Sequence, residues 1–143
     1  MRFNLGEYAK AVELSQKIVS QKLSQRESIS ERAHLVRALT LNEQHSDALK
    51  ALQDYLTHLK EMSEWYRCGY GQEATMICFE LAGQPFPGAK TAFKQGHQLA
   101  KKVRNLPLTI LEKAAFAARA TDDIWKARSY EAKARAEAKR IGQ

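Results

Sequence analysis

Proline is scarce in this chain and confined to its second half: three residues, at positions 85, 87 and 107. Everything before Pro85 lacks the one residue that cannot continue a helix. No window alternates apolar and polar residues at period two, which excludes a half-buried sheet, while helical periodicity runs throughout. No apolar run approaches the ~20 residues that a membrane helix requires. The opening Met-Arg-Phe-Asn-Leu-Gly-Glu-Tyr has no apolar signal-peptide core. No membrane association and a cytoplasmic location are therefore expected. The two cysteines, Cys68 and Cys78, stand ten residues apart. A continuous helix would separate them by ~15 Å, whereas a disulfide needs Cα atoms within about 7 Å. Two free thiols in a reducing compartment follow.

Catalytic signatures are missing as well. The sequence has no His-Glu-x-x-His, Cys-x-x-Cys, Gly-x-x-x-x-Gly-Lys or Gly-x-Ser-x-Gly. Gly69-Tyr-Gly71 lacks both a third glycine and a preceding strand, so it is no dinucleotide fingerprint. His34, His45, His58 and His97 are scattered over different helices, and neither they nor the cysteines have zinc spacing. No catalytic residue, no metal site and no cofactor is expected.

What remains is a chain of 143 residues with 44% hydrophobic content, enough for one folded domain over 1–143. A domain of this length buries roughly 68–70% of its extended-chain surface. The net charge of +7 is unevenly placed. Residues 1–64 balance nine Lys/Arg with nine Asp/Glu, whereas residues 65–143 hold fourteen against seven. No acid occurs between Glu80 and Glu112. A basic C-terminal half follows, with electrostatic consequences for whatever it meets.

Seven helices are expected. The first runs from about Leu5 to Leu23. The second follows the serine–glutamate pairs at Ser24/Glu27 and Ser28/Glu31, either of which fits a capping box, and ends near Leu41. The third carries Ala48, Leu49, Leu52, Tyr55, Leu56, Leu59 and Met62 on one face with charges opposite. Ser63 caps the fourth, where Gly69 and Gly71 predict a kink, a close helix crossing or a late start. The loop Gly83-Gln-Pro-Phe-Pro-Gly leads to a fifth helix over about 86–104. Asn105-Leu-Pro107 starts the sixth, with a second possible box at Thr109 and Glu112. Thr121-Asp-Asp precedes the seventh, which reaches about Ile141.

Four helices share one pattern of spacing. Tyr8, His45, Phe86 and Ile124 each precede an alanine by three residues, and those alanines, at 11, 48, 89 and 127, are 37, 41 and 38 residues apart. Each alanine falls early in the second helix of a helix pair, where a small side chain lets two antiparallel helices come close. Each pair would leave a face that only the next pair covers. Alanine makes up 21 of the 143 residues, so a non-repeating bundle would also produce some such alignments. Four matches in order, each beside a turn signal, favour the repeat.

These residues resemble the tetratricopeptide repeat family, whose second helix opens with Gly, an aromatic and Ala. Gly6-Glu-Tyr8-Ala-Lys-Ala11 matches that opening, and Gly83 with Phe86 and Ala89 matches it with one extra loop residue. The spacing exceeds the family's 34 residues and the closing proline is missing. Longer repeats of this sort are similar to those in bacterial transcriptional and signalling regulators. The resemblance implies an all-α, right-handed superhelix of antiparallel helix pairs and a non-catalytic scaffold that binds a protein or peptide. It further implies a groove lined by Arg37 (with Ala33 and Thr40), Tyr70, Glu73, Ile77, Glu80, Glu112, Phe116 and Arg119. The chain would then open with the second helix of a repeat, so a fragment of a longer protein or a homodimer through the N-terminal helix is expected.

The alternative is nucleic acid or another polyanion on the basic half. Lys90, Lys94, His97 and Lys101 form a stripe on the fifth helix, with Lys102 and Arg104 beside it. Lysines opposite an apolar face are equally what any solvated helix carries.

Overall fold

Ser24 begins the second helix by the chemistry its spacing to Glu27 implies. Its hydroxyl accepts the Glu27 amide at 3.3 Å and donates to the Glu27 carboxylate at 2.7 Å. Ser28, the competing candidate, is already inside that helix. The computed structural model describes residues 5–67, 69–103 and 105–142. They form seven helices: α1 (Leu5–Val19), α2 (Gln25–Leu41), α3 (His45–Lys60), α4 (Gly69–Ala82), α5 (Ala89–Lys102), α6 (Leu108–Ala120) and α7 (Ile124–Arg140). A single 3-10 turn, Trp65–Arg67, precedes α4, and no strand occurs among the described residues. Among the described residues no helix is long and apolar enough to cross a membrane. The chain divides into two compact units, Met1–Ser63 and Glu64–Gln143.

In the first unit α2 packs against both α1 and α3. Ile29, Ala33, Val36 and Leu39 from α2 are buried, as are Ala48, Leu52, Tyr55, Leu56 and Leu59 from α3. The last five belong to the apolar stripe that the periodicity of α3 predicts, whereas Leu49 is only half-buried and Met62 lies beyond the helix end, also half-buried. Arg32 ties the two helices at their edge, with Nε 2.9 Å from Asp54 Oδ2 and 3.2 Å from His58 Nδ1. Ala11 on α1 is exposed while its neighbour Val12 is buried. Leu14 is also exposed.

In the second unit α4 pairs with α5 and α6 pairs with α7, and α4 also packs on α6. Phe79, Phe93 and Tyr130, from α4, α5 and α7, meet with ring centroids 5.7–6.4 Å apart, in the tilted and edge-on arrangements that aromatic quadrupoles favour.

Two of the hairpin turns share one geometry at the level of single hydrogen bonds. After α2 the amides of Asn42, Glu43 and Gln44 bond the carbonyls of Ala38, Thr40 and Leu39. After α6 those of Thr121, Asp122 and Asp123 bond Ala117, Arg119 and Ala118 in the same order. Both are Schellman motifs. Glu43 and Asp122, at equivalent places, adopt φ of 60° and 62°. In each turn the last residue caps the next helix, and Ala48 and Ala127 are fully buried one turn later.

The α4–α5 turn makes the first two of these bonds, through Gly83 and Gln84. The third would come from residue 85, a proline without an N–H. That helix therefore starts late, at Ala89 instead of 86, although Ala89 keeps the register of Ala48 and Ala127 relative to its turn.

Other boundaries differ from expectation. α1 ends at Val19, four residues early. Ser63 does not cap α4, because Glu64 adopts φ 54° and the 3-10 turn intervenes. α6 is preceded by Pro107, without a side-chain cap from Thr109 or Glu112. The glycines of α4 produce a late start at Gly69 and a close approach at Gly71, where a Cβ would stand 2.9 Å from the Trp65 carbonyl oxygen.

Gly96 is the tightest point of the α4–α5 contact: a Cβ there would lie 2.8 Å from the Phe79 ring and 2.9 Å from Cys78 Cβ. Overpacking of this kind costs about 1–3 kcal/mol, against a gain of ~1 kcal/mol in helix propensity. Gly96→Ala is expected to lower stability by about 1 kcal/mol and the melting temperature by roughly 2–4 °C. Gly69→Ala, which meets nothing within 4 Å, should stay within about 0.5 kcal/mol of wild type. Equal thermal unfolding of the two variants by circular dichroism would contradict the close contact at Gly96.

Candidate functional site

Two surfaces carry the residues singled out from the sequence. The first follows from α4 packing on α6. Tyr70, Glu73 and Glu80 are half-buried along α4, and Glu112, Phe116 and Arg119 are exposed along α6. Glu80 is paired with Lys113 of α6 at 3.3 Å. Arg119 is held by both oxygens of Glu131 on α7, at 2.6 and 3.0 Å, and those hydrogen bonds keep the Glu131 carboxyl below its usual range. The exposed Phe116 ring lies 3.1 Å from where a Cβ on Gly83 would be. Ile77 corrects the sequence reading: it is 1% exposed and belongs to the core, so it lines no groove. Its stripe on α4 includes Ala74, Cys78 and Leu81, all buried. Arg37 is exposed on α2 in the first unit.

The second surface is a cleft of about 730 Å³ within the second unit. One wall is α5, contributing Lys90, Lys94, Gln98 and Lys101. The other is the α6–α7 turn and the first residues of α7: Thr121, Asp122, Asp123, Ile124, Trp125 and Lys126. Phe93 and His97 complete the lining. Lys90, Lys94 and Lys101 fall on one edge of α5 by helical spacing, as the sequence requires. That edge does not simply face bulk water, because the turn before α7 rises opposite it. Lys102 is elsewhere, with its ammonium 5.8 Å from the centre of the Tyr66 ring. Arg104 lies outside the described residues, as does Cys68.

The charges of the cleft are unevenly satisfied. Asp123 caps α7 by accepting the Lys126 amide at 3.1 Å and binds the Lys126 ammonium at 3.0 Å, which holds its carboxyl below the usual range. That pair is locally neutral. Lys90, Lys94 and Lys101 make no ion pair among the described residues, and only Asp122 offsets them within the lining. The cleft therefore presents net positive charge beside apolar surface.

His97 sits at the base of this charge. Its ring stacks on Phe93, with centroids 6.2 Å apart, and its Nδ1 is 2.6 Å from the Tyr130 hydroxyl. Burial, then the ammonium groups of Lys126, Lys101 and Lys133, push the His97 pKa down, and Asp123 opposes them. Burial pushes the Tyr130 phenol up to about 12. Both groups are then neutral near pH 7, so the phenol O–H donates and Nδ1 accepts.

Trp125 is the residue that sequence reading passed over. It is 82% exposed, and Ile124 beside it is 45% exposed. Ile124 had a packing position in the repeat and Trp125 none. The available signal was local: a tryptophan next to a lysine, just after an acidic turn, off the buried stripe of Ala127 and Tyr130. Cys78 is buried and in no disulfide, and among the described residues no group of His, Cys, Asp and Glu is placed to hold a metal.

The lowered His97 pKa makes stability depend on pH with a defined sign. The unfolded ring titrates at 6.5 and the folded ring below it, so between those values the unfolded chain binds more protons. His97 thus costs nothing above that window, and stability falls as the pH drops through it. The melting temperature of wild type is expected to fall more steeply from about pH 7 to about pH 5 than that of His97→Gln. Parallel profiles would contradict the assignment.

No family model matches the chain, and no curated protein and no solved structure matches it. The functional reading accordingly rests on the cleft's own geometry.

Proposed function

We propose that this chain is a non-catalytic helical-repeat scaffold that binds a protein or peptide partner, and that the cleft between α5 and the start of α7 is its principal binding site. The observation that carries this reading is the cleft itself, where unpaired lysines stand beside a tryptophan left in solvent. Aromatic residues, tryptophan above all, are enriched where partners dock. Rigid helices on both sides support preformed recognition with little ordering cost on binding.

The tetratricopeptide-like, right-handed superhelical arrangement belongs to this proposal. Its support is the recurrence of one turn geometry and of the buried alanines at 48, 89 and 127. A regulatory or sensory role within a larger bacterial protein rests on the family resemblance, and a cytoplasmic setting fits a buried Cys78 thiol in no disulfide. Pairing with a second copy through α1 would use the exposed Ala11 and Leu14. The second reading, nucleic acid on the basic half, is favoured by the same three lysines and has its outcome in the test below.

The test is capture from a nuclease-treated extract of the source cells on the immobilised chain. Wild type is expected to retain a protein that Lys94→Glu/Lys101→Glu loses and that Glu112→Ala/Phe116→Ala keeps. Capture that needs intact nucleic acid, or that the lysine changes leave untouched, would overturn the reading.

A further inference from the structure

The chemistry of the cleft narrows the partner, granted the protein-binding reading above. The free cations stand on one edge of α5 at residues 90, 94 and 101, about 6 and 10 Å apart along a helix axis. An extended chain rises about 3.3 Å per residue. On a strand laid along α5, whose alternate side chains share a face, Lys90 and Lys94 therefore match carboxylates about two residues apart, and the long Lys101 side chain one about two to four residues further on. Across from them, Trp125 and Ile124 offer apolar surface to solvent, with the buried edge of Phe93 and the His97 ring at the base. A bulky apolar side chain entering there would cover Trp125 and lose its own contact with water. Each wall thus recognises a different property, acidity on the α5 side and apolar bulk on the α7 side.

One feature weighs against nucleic acid in the same place. Binding of single strands relies on several aromatic faces along the groove. Here Trp125 is the exposed ring, while Phe93 is 4% exposed and stacked on His97.

We propose that the cleft seats an acidic, extended peptide segment bearing one bulky apolar side chain: Lys90, Lys94 and Lys101 meet its carboxylates, and Trp125 with Ile124 covers the apolar residue. The whole chain reads this combination and not charge alone.

The experiment measures binding of fluorescein-labelled peptides to the full chain by anisotropy at physiological ionic strength. The probes are a short oligoglutamate with a central phenylalanine, the same peptide with serine in its place, and oligothymidylate of equal charge. The phenylalanine peptide is expected to bind about tenfold more tightly than the serine peptide, the value of about 1.4 kcal/mol. Trp125→Ala is expected to weaken the phenylalanine peptide about tenfold, to the level of the serine peptide, and to leave the serine peptide nearly unchanged. Lys94→Glu/Lys101→Glu should weaken both peptides. These side chains are exposed, so unchanged circular dichroism melts will certify folding. Equal affinity for the two peptides, insensitivity to Trp125→Ala, or tighter binding of oligothymidylate would each overturn the proposal. No peptide binding by wild type, with a captured protein that still depends on Lys94 and Lys101, would sink this inference alone. Loss of that dependence as well would sink the protein-binding reading with it.

Discussion

Two helices approach one another only as closely as the smallest side chains between them permit, and this chain places small residues at the decisive points. Ala48, Ala89 and Ala127 are buried just after their turns, and Gly96 faces the Phe79 ring where no methyl group would fit. Because the contacts are close, each hairpin is rigid, and the residues on its outer surface hold fixed positions. The cleft depends on this. Phe79 and Phe93 sit across the Gly96 contact, Tyr130 packs on both, and His97 is anchored to Tyr130 at 2.6 Å. The lysine edge of α5 and the tryptophan at the start of α7 are therefore presented by one shared aromatic core.

Charge is arranged around the same core. Unit Glu64–Gln143 holds most of the basic residues, yet its cations are not equivalent. Lys113, Arg119 and Lys126 are committed to Glu80, Glu131 and Asp123, and Lys102 to the Tyr66 ring. Exposed pairs of this kind contribute little to stability, and their effect is to remove charge from potential partners. Lys90, Lys94 and Lys101 make no ion pair among the described residues and have Asp122 alone to offset them in the cleft, so their charge remains available to an anionic partner.

Much of the architecture was legible because it is set by local chemistry. The α3 stripe follows from its spacing, the start of α2 from Ser24 and Glu27, and the break before α5 from its two prolines. Where local reading failed, a neighbour in space had decided. Pro85 removed one turn bond and delayed α5 by three residues. Ile77 shares the spacing of a groove residue, but α4 is covered on more than one side and took it into the core. The basic stripe was visible as a stripe and not as a wall, since the opposite wall comes from residues more than twenty positions away. Trp125 was missed because periodicity sorts apolar residues toward the inside, and this one is outside.

The most direct test of this account is a titration of the isotope-labelled chain with the phenylalanine-bearing acidic peptide, followed by backbone and indole N–H resonances. The account predicts that the Trp125 indole, His97 and the amides of Lys94, Lys101 and Thr121 shift together along one saturating curve while the Trp65 indole stays still. Shifts centred on Glu112 and Phe116, or a saturating interaction that leaves the Trp125 indole unmoved, would contradict it.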